Sequence, residues 1–246
     1  MNILVCISKV PDTTSKIAFT ADHTQFDSNG VTWIVNPSDE WYALVRALEL
    51  KETLGGKVTI VTVGDATDDQ VIRKALAIGA DEAVRIDAVA QDAGFVAKEI
   101  SQYAKGQGFD LILTGKETID YNGSMVAGLI AAHLDLPYVA FVEKLDVSGT
   151  TFTMHRDIGG GTETVRVTGP VVVSANKGLA EQRIPNMRGI MAARTKPIQV
   201  IPASSSAGEV TITSYALPPA KGAVKMLTPD QMKELVRLLH EEAKVI

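Results

Sequence analysis

Val58-Thr59-Ile60-Val61-Thr62-Val63, then Gly64-Asp65-Ala66, then Thr67-Asp68-Asp69-Gln70-Val71-Ile72-Arg73-Lys74-Ala75-Leu76-Ala77-Ile78-Gly79, is the stretch that decides the fold. Its first six residues are all β-branched, as in a parallel strand covered on both faces. Thr67-x-x-Gln70 reads as a capping box that opens a helix. Val71, Ile72, Ala75, Leu76 and Ile78 supply that helix with one apolar face, and Gly79 ends it.

The same alternation extends to both sides. Asn2–Ile7 is an apolar run, followed by a polar, irregular stretch from Ser8 to Asn29. Val31–Val35 reads as extended. Asn36 suits a helix N-cap and Pro37 a first helical turn, with the helix running through Trp41, Leu44, Val45, Leu48 and Leu50 to Gly55-Gly56. Ala83–Ile86 reads as strand, Ala88–Ala104 as helix, Asp110–Thr114 as strand and Ser124–Leu134 as helix up to Pro137. Strands separated by helices imply right-handed crossovers and a parallel sheet. The expected fold class is α/β: an open, mainly parallel, Rossmann-like sheet with flanking helices, a β-hairpin region and an extended C-terminal arm ending in a helix.

After Pro137, Phe141–Val147, Thr151–His155, Val165–Thr168 and Val171–Ser174 read as hairpin strands, two of them joined by Gly159-Gly160-Gly161. Asn176–Tyr215 reads as a weakly periodic arm, with Ser204-Ser205-Ser206-Ala207-Gly208 as a linker. Thr228-Pro229-Asp230-Gln231 caps a last helix with an apolar stripe of Met232, Leu235, Val236, Leu239 and Ala243. That helix needs a surface to lie on. The expected division is 1–182 as an α/β domain, 183–207 as a loop and linker suited to docking a partner, and 208–246 as a C-terminal arm and helix.

Composition narrows the function classes. In 246 residues there are 24 basic and 29 acidic side chains, a formal charge of −5, which disfavours nucleic-acid and anionic-lipid binding. No apolar run reaches the ~18 residues of a membrane span. The chain starts directly in a strand-like run with no targeting leader, so a cytoplasmic location is expected. Cys6 is the only cysteine, so an internal disulfide is excluded. His23, His133, His155 and His240 are scattered, and no metal site is expected.

In an open parallel sheet, ligands bind beyond the carboxyl ends of the strands. The most informative segment there is Gly115-Lys116-Glu117-Thr118-Ile119-Asp120-Tyr121-Asn122-Gly123-Ser124, a polar loop between a strand and a helix N-terminus that offers free N–H groups to a phosphate. The dinucleotide fingerprint and the P-loop are absent. Asp12, Asp39 and Asp120 on the same rim read as loop acids or caps, and Cys6 as a buried thiol. Arg183–Lys196 sets Ile184, Met187, Ile190 and Met191 among basic residues, a pattern suited to docking an acidic partner.

Several motifs, in order, resemble the beta subunit of the electron transfer flavoproteins. They are Lys9-Val10-Pro11-Asp12, Val35-Asn36-Pro37 with Leu48-Glu49-Leu50-Lys51-Glu52, and Lys74-Ala75-Leu76-Ala77-Ile78-Gly79-Ala80-Asp81. Gly115-Lys116-x-x-Ile119-Asp120, Gly189-Ile190-Met191-x-Ala193 and Glu234-Leu235-Val236-Arg237-Leu238-Leu239-His240 complete the set. The resemblance implies an electron carrier rather than an enzyme. Its alpha subunit would hold the FAD, and the pair would pass electrons from acyl-CoA dehydrogenases of fatty-acid β-oxidation, or similar flavoenzymes, to a quinone reductase or other acceptor. It implies a structural AMP in beta, or a second FAD in electron-bifurcating members.

Carried across, the nucleotide site falls on Cys6, Ser8, Asn36, Pro37, Ser38, Asp39, Val63 and Gly115 through Ser124, with Met125 and Val126. Met187 falls at the apolar anchor of the recognition loop, beside Arg183, Ile190 and Met191. Glu163 matches a carboxylate that can pair with an alpha-subunit arginine. Tyr121–Val126 departs from the pattern common in relatives, as do Thr13, Ser38 and Ala192. An adenine-nucleotide hydrolase or stress-type ATP-binding protein is the alternative from another class.

Overall fold

The computed structural model describes residues 1–37, 39–90, 92–205 and 208–246. In chain order the elements are β1 (Asn2–Cys6), β2 (Lys9–Pro11), β3 (Trp33–Val35), α1 (Asp39–Leu54), β4 (Lys57–Gly64), α2 (Asp69–Ala77), β5 (Glu82–Asp87), α3 (Ala93–Ala104), β6 (Leu111–Gly115) and α4 (Val126–Leu134). Then come β7 (Tyr138–Ser148), β8 (Thr151–Asp157), β9 (Thr162–Thr168), β10 (Val171–Ala175), α5 (Met187–Thr195), β11 (Ile198–Pro202) and α6 (Met232–Glu241).

Nine strands form one sheet in the order β11-β5-β4-β1-β6-β10-β7-β8-β9, and β2 and β3 form a small antiparallel pair. The six strands from β11 to β10 pair in parallel, β10 also pairs in parallel with β7, and only β7-β8-β9 is an antiparallel meander. Alternating side chains split the core into two layers. Ile3, Val5, Val58 and Ile60 pack with Leu44 and Leu48 of α1 and with Val71 and Ile72 of α2. Leu4, Val61 and Val63 pack on the other face with Phe95 and Ile100 of α3 and with Ile130 of α4. The expected class, α/β with a mainly parallel sheet, is what the chain adopts.

Several local expectations change. Val171–Ser174 is not a hairpin strand. It is β10, inserted between β6 and β7 and parallel to both. All five of its residues are buried, as an interior strand requires. The irregular stretch 8–29 contains β2, whose partner is β3. Thr67 does not cap α2. Asp65 accepts its N–H at 2.7 Å and hydroxyl at 2.6 Å, capping a 3-10 turn, Ala66–Asp68, that precedes the helix. The third helix starts at Ala93 rather than Ala88, where Asp92 accepts the Phe95 N–H at 2.7 Å. The fourth starts at Val126 rather than Ser124, because Asn122 and Ser124 hold left-handed φ values of 48° and 49°.

The arm also differs. Residues 187–195 form the capped helix α5, and β11 follows it as the edge strand of the sheet, parallel to β5. Ser204 and Ser205, read as linker, bind the carboxylate of Glu99 through both backbone and hydroxyl groups. Ser206 and Ala207 of that reading lie outside the described residues. On α6, Met232 and Val236 of the expected stripe are exposed, and Leu238, outside that stripe, is the buried residue. Among the described residues, no helix is long and apolar enough to cross a membrane.

Candidate nucleotide crevice and docking helix

The strand order reverses between β1 and β6. The chain builds β4 and β5 on one side of β1 before returning to place β6 on the other. In open parallel sheets the ligand crevice lies at such a point, beyond the carboxyl ends of the strands. Cys6 and Ser8, at and just beyond the end of β1, and Gly115, at the end of β6, flank the start of α1 there. Val63 lies at the end of neighbouring β4.

Asn36 holds this crevice together. Its side-chain N–H donates to the Glu117 carbonyl at 2.9 Å, and its side-chain oxygen accepts the Ile119 N–H at 3.0 Å. It lies fully buried, three residues before α1, so it reads the loop like a backbone partner and is not the helix cap. Pro37 likewise precedes the helix. Ser38 lies outside the described residues.

The loop itself is tightly turned. The Asn122 N–H donates to the Thr118 carbonyl at 2.8 Å, and the Ser124 hydroxyl donates to Glu117 at 3.1 Å. Its outer residues Asp120, Tyr121, Asn122, Gly123, Ser124 and Met125 are exposed. After Asn122, the next amide to find an acceptor is that of Leu129, which donates to the Met125 carbonyl at 3.0 Å. The N–H groups from Gly123 through Gly128 have no acceptor among the described residues. Four of them follow from the geometry of any helix start, and the turned loop adds the others. Lys116 is the nearby cation, 3.7 Å from Glu117. This donor set fits a phosphate monoester.

Acids surround the same place. Glu40, in the first turn of α1, accepts the Ser8 N–H at 2.6 Å and the Ser8 hydroxyl at 2.8 Å. Burial, reinforced by Asp120 and Asp39, pushes its carboxyl up to about 8 despite those two bonds. Asp39 is also raised by burial, against the pull of Lys116. Burial and Glu40 together push the Cys6 thiol up, which keeps it protonated and inert. Gly115 is required here, since a Cβ would stand 2.8 Å from the Glu40 side chain and 3.1 Å from its backbone nitrogen. Asp12, by contrast, serves its own turn, accepting the Thr14 hydroxyl and N–H.

Glu40 was not legible as a site residue. An acid in a first helical turn reads as a partner of the helix dipole. Lys9 was visible only as part of a motif. It ties the segment after β1 to the turn after β4 by binding Asp68 at 2.8 Å and Thr67 at 2.5 Å, 5.1 Å from the Trp33 ring centre.

The arm crosses the rim. Asp92 accepts the N–H groups of Glu209 and Val210, and Tyr215 donates its N–H to the His23 carbonyl at 2.8 Å. The Tyr215 ring stacks on Phe19 at 4.9 Å. Its hydroxyl bonds that of Tyr121, whose phenol is pushed up to about 12, by burial first and by Tyr215 second.

The proposed docking residues sit elsewhere, on and before α5. Asn186 caps the helix, accepting the Gly189 N–H at 2.8 Å. Met187 is 73% exposed, and Met191 is also exposed. Ile190 lines a cavity of about 470 Å³ with Arg73, Lys74, Ala77, Pro185, Ala193 and Arg194. Arg183 is held by both carboxylate oxygens of Glu52, at 2.7 and 3.0 Å, and its carbonyl accepts the Trp41 indole N–H at 3.2 Å. It therefore positions the approach to α5. Glu163 pairs with Arg156 of the adjacent strand at 2.5 Å.

The family model of the electron transfer flavoprotein domain matches residues 24–206. The electron transfer flavoprotein subunit beta of Bacillus subtilis is 38% identical over the full length of both chains. The chain belongs to the electron transfer flavoprotein beta-subunit family. The subunit beta of Syntrophomonas wolfei is 34% identical over 91% of this chain and 88% of its own. That of Bos taurus is 32% identical over 97% of this chain and 99% of its own. Membership in this family implies electron transfer, an association with flavin and an alpha-subunit partner.

Proposed function

We propose that this chain is the beta half of a heterodimeric electron carrier. Its crevice between β1 and β6 holds the adenylate of a structural AMP. The single observation behind this reading is the Asn36-clamped loop, which presents a run of free N–H groups at the point where strand order reverses. Residues 123–128 and Lys116 take the phosphate. Ser8, Asn36, Pro37, Asp39 and Val63 border the rest of the nucleotide, over inert Cys6.

FAD, shared with the alpha subunit, supplies the redox chemistry of the complex. This chain has no catalytic residue of its own. Its part is to fix the nucleotide, to offer exposed apolar side chains on α5 to an acyl-CoA dehydrogenase or similar flavoenzyme, and to give the alpha subunit an arm to bind. A quinone reductase is the proposed acceptor. The exposed Met232 and Val236 on α6 favour a partner surface over a free arm. A cytoplasmic location accords with a lone, buried cysteine.

One observation favours a second reading, in which beta holds a second FAD and the complex bifurcates electrons. A further cavity of about 460 Å³ adjoins the crevice at Lys116, lined also by Phe141, Arg156, Asp157, Ile158, Gly159 and Asn176. It offers further space beside Lys116. Denaturing the complex purified with its alpha partner and identifying the released nucleotides tests both. One FAD with one AMP supports the first reading, two FAD the second, and an empty crevice refutes both. Turnover of ATP by the isolated chain would support the nucleotide-hydrolase alternative instead.

A further inference from the structure

Glu40 is a buried carboxyl without a counter-ion. The charged or ionisable groups that face it are Asp39 from its own helix, Asp120 from the loop after β6 and the Cys6 thiol from β1. Among the described residues no lysine or arginine forms an ion pair with it, and Lys116, next to Gly115, pulls on Asp39 instead. Its two oxygens are spent on one residue, Ser8, at 2.6 Å to the N–H and 2.8 Å to Oγ. Ser8 is itself only half-buried and stands on the crevice wall.

A hydroxyl has one proton to give and two lone pairs. When Glu40 is ionised, it can only accept, so the Ser8 Oγ proton points inward and Oγ faces the crevice as an acceptor. When Glu40 is neutral, its own proton can be donated to Ser8 Oγ. The Ser8 N–H bond to the other oxygen survives, and the Ser8 proton turns outward. One proton taken from solvent thus converts Ser8 from an acceptor into a donor toward any ligand in the crevice.

We propose that Glu40 is a positioning residue that sets the hydrogen-bonding polarity of Ser8 through its own proton, so that capture of a nucleotide, whose non-phosphate part Ser8 borders, is linked to proton uptake. The inference rests on the reading of the crevice as a nucleotide site. A phosphate dianion brought near ionised Glu40, Asp39 and Asp120 meets like charge. Protonation of Glu40 removes one of those charges and supplies a donor. The position of the carboxyl near 8 places the switch within reach of ordinary conditions. Tyr121, at about 12, titrates well above that window. The second ionisation of a phosphate monoester, near about 6, is complete below it.

The test is calorimetric titration of the full-length chain with AMP between pH 7 and 9.5, in two buffers of different ionisation enthalpy. Glu40→Gln and Ser8→Ala are compared with the unaltered chain. The expected result is affinity falling about tenfold per pH unit above pH 8, with uptake of close to one proton per AMP bound at pH 9. Glu40→Gln is expected to bind at every pH with no slope and no proton uptake. Ser8→Ala, which keeps Glu40, is expected to bind more weakly below pH 8 than the unaltered chain. Infrared difference spectra should show a protonated carboxyl band that disappears between pH 7 and 9 and is missing from Glu40→Gln. AMP binding with a flat profile in the unaltered chain, or a slope that persists in Glu40→Gln, overturns the Glu40 proposal and leaves the nucleotide reading standing. Absence of AMP binding at every pH overturns both.

Discussion

Gly189 of α5 rests so closely on Ala77 of α2 that a Cβ at position 189 would overlap the Ala77 carbonyl oxygen. The two helices therefore meet backbone to backbone at the base of the proposed docking surface. Around that contact Arg73 donates to the carbonyls of Ala193 and Lys196, and Lys196 donates back to those of Leu76 and Ala80. Gly189→Ala forces α5 away from α2. A loss of about 1–3 kcal/mol is expected, read as a lower denaturant midpoint, together with slower electron uptake from a partner dehydrogenase. An unchanged midpoint would mean that the helices separate freely and that the contact carries no positional role.

Asn36 spans two strands' worth of loop with one amide. Asn36→Ala leaves the Glu117 carbonyl and the Ile119 N–H, both only part-buried, without their partner, at a cost of about 1 kcal/mol for each lost hydrogen bond. The expected readout is lower thermal stability and loss of bound nucleotide during purification. Retention of a full nucleotide complement would show that the loop holds its shape without the clamp.

Met187→Ala tests the docking surface without touching the crevice. The side chain is exposed and packs against no core. Its truncation should leave stability and flavin content intact while slowing electron transfer from a dehydrogenase, because one anchor residue can carry much of an interface's energy. Stopped-flow reduction of the assembled complex gives the rate, and equal rates for both proteins would remove Met187 from the interface.

Glu40 makes stability depend on pH in a definite direction. Its carboxyl is raised in the folded chain from an ordinary 4.5 to about 8. The folded state therefore binds a proton more tightly than the unfolded one. The resulting stability is complete below about pH 4.5 and is lost as pH rises toward 8, by up to about 1.4 kcal/mol per unit. Above pH 8 the loss is complete and the curve flattens. Denaturant unfolding across this range should show that fall, and Glu40→Gln should remove it.

The Arg156–Glu163 pair is a weaker element. Both partners are partly exposed, at 33% and 47%, so their pairing contributes on the order of 0–1 kcal/mol to the isolated chain. Glu163→Gln should leave the thermal midpoint within measurement error. If it lowers the midpoint strongly, the pair is structural and Glu163 is not available to an alpha-subunit arginine.

The parallel half of the fold was legible because it rests on local signals. Val58–Val63 is β-branched throughout, and the helices after β4 and β5 show one apolar face each. What escaped was non-local. Val171–Ala175 carries the same three-valine run whether it ends a hairpin or lies between two parallel strands, and only the register with Leu111 and Tyr138 distinguishes them. Ile198–Pro202 alternates weakly and borrows its strand character from β5. Helix starts slipped for a local reason, the competition between adjacent capping residues. Asp65 beat Thr67, and Asp92 prevailed over any earlier start.

At the crevice, the loop after β6 was readable from its glycines and polar residues. The use of Asn36 was not, since the same residue before Pro37 also fits a cap. Its actual partners lie in a segment that sequence spacing cannot bring near. The burial of Glu40 was equally hidden, because it depends on Gly115 yielding space from another strand.

The position of β10 has a consequence for synthesis. β6 and β7 are both made before it, and neither touches the other in the finished sheet. A nascent chain that has just left the ribosome through residue 170 therefore carries two half-built pieces, each with an open edge toward the missing strand. Five residues then arrive as a wedge and weld them. Until that moment both edges are open to foreign strands, as the edge of β5 is until β11 follows.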